Sequence, residues 1–417
     1  MSGHNLSRGG RLSVLLCTTF YLRMGAFQMG GVERLSLILA SDLRKRGCLF
    51  FNAFRKTDDG AGDDELDEHY FRENERIRIT DSTTSDELTS FLARNSINVI
   101  HVQQAEFKDF MLYREAAERA GAVVIATMNE KPMADMFLLS RSFLARRLKT
   151  ARGCEFLKAL KQFLFPAYHR RKRLKNIRMK TLNTFGLCHQ VVLVSRNYIP
   201  GYETLLQREL DPSGCTVIPG CASFGAYFPE IHLQQLKQKE ILMVCRIEEL
   251  TRRQGIMLDL FKRLCLSYEG WTLRILGQGP DLPACRKKAK GCSGIVFEGW
   301  TDPQPFYRTA SIYVNLSVTA DAWCMSLPEA MQFALVPVVF NTSEVYSDII
   351  EHENGGYLIE DMNRSQLESV LRKLMEDDGL RLRQARLALA RSKSYSRMIY
   401  ARRYHDLYLA THRLLNS

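Results

Sequence analysis

The chain has 417 residues, 46% of them hydrophobic and 25% charged. That is enough apolar material for two ordinary domains, each with its own core, without disulfides or metals to hold it together. Eleven cysteines, an odd number with no Cys-x-x-Cys pair, exclude a disulfide framework and a zinc site; they read as mostly buried thiols in a reducing compartment. No run of 18 apolar residues occurs, which excludes a membrane-spanning helix. The net charge of +12 is concentrated: fourteen Lys/Arg and one acid, Glu155, lie between Arg141 and Lys180.

In chain order, Arg8 and Arg11 precede a short apolar run, Leu12–Cys17. It is too short for the core of a signal peptide and lacks a small-residue cleavage site, so Leu12–Thr18 reads as a first buried strand. Further strands are predicted at Leu49–Phe54, Ile97–Val102, Ala122–Thr127 and Val191–Ser195. All are short, apolar and often β-branched, as in a parallel sheet covered on both faces. Between the first two strands, Val32, Leu35, Ile38, Leu39 and Leu43 fall on one face of a helix from Val32 to Arg46. Lys45 and Arg46 suit its last turn, and Gly47 suits a left-handed cap. Thr57–Glu68, with seven acids and two glycines, lacks calcium-ligand spacing and reads as a solvated loop.

The second half repeats the pattern. Strands are predicted at Glu240–Cys245, Thr272–Leu276, Gly294–Phe297, Ile312–Asn315 and Val336–Phe340, and helices at Ser365–Met375 and Tyr395–Leu415. Strand–helix alternation with helix-length gaps means a doubly wound α/β fold. The halves join near Ile218–Pro229, giving an N-terminal domain over 1–222, a C-terminal domain over 223–394 and a final helix over 395–417 that returns to the first domain. A ligand is expected in the cleft between them, at the carboxyl ends of the strands.

One stretch breaks the alternation. From 134 to 180, Phe137, Leu138, Phe143, Leu148, Phe156, Leu157, Leu160, Phe163, Leu164 and Phe165 interleave with the basic residues, ending in His169-Arg-Arg-Lys-Arg173. Aromatic and leucine residues on one face with Lys/Arg on another suit an anionic membrane surface. The bland alternative is a helical insertion with a solvated basic face. No nucleic-acid motif accompanies it.

The densest chemical signal is Asp321-Ala-Trp-Cys324-Met325-Ser326-Leu327-Pro-Glu329-Ala-Met, between the strand Ile312–Asn315 and a following helix. A strand-to-helix turn offers free backbone N–H groups to a diphosphate, flanked here by two acids that can accept from sugar and ribose hydroxyls. Ser326-x-x-Glu329 also satisfies the pattern of a helix capping box.

Asp321-x7-Glu329 resembles the acid-x7-acid motif of family 4 retaining glycosyltransferases, which have the GT-B fold of two Rossmann-like domains. Other pieces occur in the family's order: Val217-Ile-Pro219, Arg246 after a strand, Arg252 and Arg253 before Gly255, Gly277-Gln-Gly279-Pro280, Gly299-Trp300, Tyr307-x-x-Ala310 and Gly355-Gly356. Gly30-Gly31-Val-Glu33 matches a glycine-glycine element near donor and acceptor. The resemblance implies that Arg246 and Arg252 or Arg253 neutralise the donor diphosphate, that Glu329 holds the ribose and that Asp321 holds the donor sugar. Cys324, Met325, Ser326 and Leu327 would line the sugar and phosphates, with Gly277, Gly299 and Trp300 near the nucleotide. His101, ending the third strand, matches a family histidine. Asn129 stands where many relatives have another, which leaves Glu130 as a substitute base. Ala334 stands where a glycine is common.

The implied reaction is retaining transfer of a sugar from a nucleotide-sugar donor to a glycan or lipid-linked acceptor in bacterial cell-surface polysaccharide synthesis. The expected location is cytoplasmic, at the inner face of the membrane. Two arginines can do what a divalent ion would do, so no metal and no cofactor beyond the donor are expected. The competing readings are a sugar-nucleotide epimerase, a phosphorylase of similar architecture and a catalytically degenerate scaffold.

Overall fold

The computed structural model describes residues 11–20, 31–56, 71–103, 107–129, 131–132, 144–145, 148, 153–225, 227, 237–318 and 323–415. Gly30, Glu130, Asp321, the acidic loop 57–68 and most of 134–152 lie outside the described residues.

Two all-parallel sheets organise the chain. The first contains β1 (Ser13–Phe20), β2 (Leu49–Lys56), β3 (Arg76–Arg78), β4 (Val99–Val102), β5 (Val123–Met128), β6 (Gln190–Leu193) and β7 (Cys215–Val217), in the order β3-β2-β1-β4-β5-β6-β7. The second contains β8 (Glu240–Val244), β9 (Thr272–Leu276), β10 (Ile295–Gly299), β11 (Ile312–Asn315), β12 (Val336–Phe340) and β13 (Tyr357–Ile359), in the order β10-β9-β8-β11-β12-β13. Strand order reverses between β1 and β4 in one sheet and between β8 and β11 in the other. Those two switch points open a crevice at the carboxyl ends of the strands.

The central strands are apolar because helices cover both faces. Val99 to Val102, Gln190 to Leu193 and Val336 to Phe340 are buried at every position, as expected in a parallel sheet. The first helix runs over Gly31–Arg44, two residues short of the predicted end, because Gly47 (φ 88°) turns the chain and donates to Arg44 O at 3.0 Å. Three strands escaped the sequence reading: β3, β7 and β13. Each has three residues at or near a sheet edge, too few to show a period.

The closing helix Arg397–Leu415 lies against the first helix and sheet. Arg397 donates to both carboxylate oxygens of Asp42 (3.1 and 2.8 Å), and Tyr404 Oη is 2.9 Å from Thr127 Oγ1. Of the eleven free cysteines, five are buried, five are half-buried and Cys154 is exposed. The expectation that most are buried is therefore too strong.

Candidate functional site

The site is built on the switch point of the second sheet. Arg246 follows β8 and is exposed; its guanidinium makes no hydrogen bond or ion pair with the described residues. Its backbone carbonyl is anchored by Gln254 Nε2 at 2.7 Å. The neighbouring turn explains two glycines. A Cβ on Gly277 (φ 138°) would lie 1.9 Å from Cys245 O, and one on Gly279 would lie 2.1 Å from Ile247 O. Only glycine lets this turn pack on the loop that carries Arg246.

The structure separates the two adjacent arginines. Arg252 Nη1 donates to Ser317 Oγ at 3.1 Å, just beyond the end of β11. Ser317 Oγ in turn donates to Asn315 Oδ1 at 2.6 Å, and Asn315 Nδ2 contacts Cys324 Sγ at 3.2 Å. Arg252 therefore faces the switch point. Arg253 has a left-handed backbone (φ 54°), is paired to Asp361 and lies over the Phe340 ring. It points away, toward the far edge of the sheet.

The helix after the Cys324 turn spans Ser326–Gln332. The capping-box pattern is not realised. Ser326 Oγ bonds Tyr313 Oη at 2.7 Å, and Glu329 turns elsewhere. Glu329 is 1% exposed. Its Oε1 accepts from Ser223 Oγ and from Arg34 Nη2 (3.4 Å), and its Oε2 accepts from Tyr307 Oη at 3.3 Å. Burial pushes its pKa up from the ordinary carboxylate value, against the opposing pull of Arg34 and the two hydroxyls. Arg34 belongs to the first helix, Ser223 to the linker and Tyr307 to the second half. Glu329 thus joins three segments, and a ligand hydroxyl would reach it only by displacing Arg34 or Ser223.

Gly31 closes the cleft from the other side, where a Cβ would lie 3.7 Å from Met325 Sδ. Cys324, Met325 and Leu327 are buried beneath it, and Ser326 is half-buried. Gly299 (φ 76°) accepts from Gly277 N at 2.7 Å, and Trp300 beside it is 51% exposed.

His101 stands apart. It is fully buried; Nδ1 lies 2.6 Å from Tyr408 Oη and Nε2 lies 2.7 Å from Thr127 Oγ1. Burial pushes its pKa down to about 3. With both ring nitrogens engaged, it ties β4 and β5 to the closing helix and does not face the cleft. Asn129, at the end of β5, donates to Gln103 O and Oε1 at 3.0 and 2.9 Å. Sequence reasoning missed Arg34, Ser223 and Ser317. Each is one polar residue in an unremarkable context, and only the chain crossings give it a partner. A cavity of about 560 Å³ lined by Arg286, Lys290, Ser293 and Phe297 opens at the amino end of β10, away from these residues.

Two Rossmann-like parallel sheets facing one crevice define the GT-B fold. Over 96% of this chain the architecture matches the Anabaena protein HepE, solved in complex with UDP (TM-score 0.68, 14% identity, all of that chain covered). It also matches the lipopolysaccharide outer core galactosyltransferase WaaB (TM-score 0.62, 11% identity, 99% of that chain). A third match is sucrose-phosphate synthase of Thermosynechococcus elongatus (TM-score 0.65, 14% identity, 99% of that chain). Residues 238–377, which carry Arg246, Arg252, the glycine turn and Glu329, match the model of the glycosyl transferases group 1 family. An uncharacterized glycosyltransferase of Haemophilus influenzae is 26% identical over 177 residues, 42% of this chain; the match spans half the length of that relative.

Proposed function

We propose that the protein transfers a sugar from a nucleotide-sugar donor to a glycan or lipid-linked acceptor, with retention of anomeric configuration, in the assembly of a bacterial cell-surface polysaccharide. The observation that carries this reading is the placement of Arg246 and Arg252 at the β8/β11 switch point, above a glycine turn that admits no side chain. Two guanidiniums there suit a diphosphate, because each offers a fixed fork of donors matched to phosphate oxygens. HepE has been solved with UDP and with UDP-glucose, so uridine diphosphate sugars are the first donors to test.

In the proposed reaction the acceptor hydroxyl attacks the donor's anomeric carbon from the face the diphosphate is leaving. Arg246 and Arg252 stabilise the charge that develops on the departing phosphate, and that phosphate takes the acceptor proton. The arginines do this without a resident metal. Asp321 holds the donor sugar. The donor ribose replaces Arg34 and Ser223 on Glu329.

The test is calorimetric titration with UDP, GDP and ADP, followed by turnover with the matching sugar nucleotide. One nucleotide should bind wild type, and Arg252→Ala should weaken it about tenfold or more, the loss of one charge-assisted phosphate contact. Arg253→Ala should leave binding within about twofold. No binding by any nucleotide, or equal loss in both variants, would overturn the assignment.

A further inference from the structure

The described part of the basic stretch is a pair of helices, Gly153–Leu164 and Pro166–Leu187, joined at Phe165. Little of it is covered. Phe156, Leu157, Phe163, Leu164, Phe165 and Tyr168 are all exposed, the last three at 59%, 62% and 62%. Soluble surfaces rarely gather so many large apolar side chains. Nine Lys/Arg and one acid, Glu155, lie between 153 and 180, and that acid is paired with Lys158 at 2.8 Å.

The direction of the pair follows from its connections. The longer helix ends at Leu187, and the chain enters β6 at Gln190. Its carboxyl end is therefore at the amino end of β6, and its Pro166 end points the same way as the carboxyl ends of the strands. Its 22 residues span about 33 Å, whereas the four residues of β6 span about 13 Å. The Phe165 elbow therefore projects up to roughly 20 Å past the end of the strand, toward the side on which the strands' carboxyl ends lie.

We infer that this elbow docks on an anionic lipid bilayer, with Phe163, Leu164, Phe165 and Tyr168 in the interface and the exposed Arg170, Arg171 and Lys172 next to it on lipid phosphates. A bilayer rewards both features at once, hydrocarbon for the apolar elbow and phosphate for the cations. Nucleic acid rewards only the cations. A second copy would set two strongly basic surfaces against each other. No described helix is long and apolar enough to cross a membrane, so the docking is peripheral. Because the elbow and the cleft open on the same side, the acceptor that reaches Arg246 is one carried at the lipid surface. That consequence, but not the docking, rests on the transferase reading.

The experiment is cosedimentation of the full chain with vesicles of phosphatidylcholine alone or mixed with phosphatidylglycerol. Binding should require phosphatidylglycerol and fall with salt. A variant with Leu164→Ser, Phe165→Ser and Tyr168→Ser, and one with Arg170→Gln, Arg171→Gln and Lys172→Gln, should keep the wild-type melting temperature because these residues are exposed. The second should lose about a hundredfold in partitioning, the contribution of three basic residues near an anionic surface. Nucleotide titration should be unchanged in both, which separates failure of the docking from failure of the donor site. Equal binding to neutral vesicles, no vesicle binding, retention of binding by the serine variant, preferential capture of RNA, or a dimer that the serine variant dissolves would each overturn the inference.

Discussion

The cross-domain contact at Glu329 makes a quantitative prediction. Breaking a fully buried ion pair costs about 3–5 kcal/mol, because one charge is left uncompensated. Here the Glu329 side chain is 2% exposed and that of Arg34 is 41% exposed, and Ser223 and Tyr307 stay on the carboxylate when Arg34 is removed. Arg34→Ala should therefore cost about 1–2 kcal/mol. Glu329→Gln keeps the volume and an acceptor while removing a buried charge, so it should lie within about 1 kcal/mol of wild type at neutral pH. In the double variant the lost partner is already absent, and the cycle should show coupling of about 1 kcal/mol. The pH dependence has a defined sign. The folded pKa of Glu329 lies above its ordinary 4.5, so its contribution is full below the unfolded value and is lost as pH rises through the folded one. Glu329→Gln has no such loss and should gain on wild type as pH rises above that ordinary value. Urea unfolding followed by tryptophan fluorescence, to which the buried Trp323 packed on Gly220 and Tyr395 contributes, reads both effects. Single variants that add to within about 0.3 kcal/mol, or a Gln variant that loses ground with rising pH, would refute the contact.

Other variants test the remaining frame. Gly277→Ala places a Cβ 1.9 Å from Cys245 O and should cost about 2–4 kcal/mol and abolish nucleotide binding. Gly291→Ala (φ 83°, open space) should cost only about 1–2 kcal/mol and bind normally; thermal melts and titration distinguish them. His101, pushed down to about 3 when folded, stays neutral while its unfolded counterpart protonates below about 6.5. Its contribution is present above that value and lost as pH falls, about 2 kcal/mol by pH 5. His101→Gln should lose that much less stability than wild type between pH 7.5 and 5 in chemical denaturation; equal slopes would refute the buried neutral imidazole.

Much of the frame is written locally. The apolar strands, the glycines at 277 and 279 and the left-handed cap at Gly47 follow from short-range sterics and periodicity, which a sequence carries directly. Even a departure from the family pattern is readable this way. Ala334 holds φ 58°, the left-handed region where a glycine is at home. The basic, apolar-rich character of the stretch around Phe165 was also legible, because those residues are contiguous; the break between its two helices was not.

Other features depend on distant segments meeting. Ser326-x-x-Glu329 is a sound local capping signal, yet a linker serine and an arginine some 295 positions away outcompete the cap by surrounding a buried carboxylate. Arg252 and Arg253 are indistinguishable in sequence; the left-handed turn at Arg253 sends one to Ser317 at the crevice and the other to Asp361. His101 ends a strand beside the crevice, but Tyr408 of the closing helix claims it for the core. The sequence by itself determined two parallel α/β halves, the glycine turn and the basic stretch, because those rest on neighbours in the chain. Only the tertiary structure decided which polar side chains face the crevice, because a buried charge or imidazole takes its partner from whichever segment the fold brings within hydrogen-bond reach.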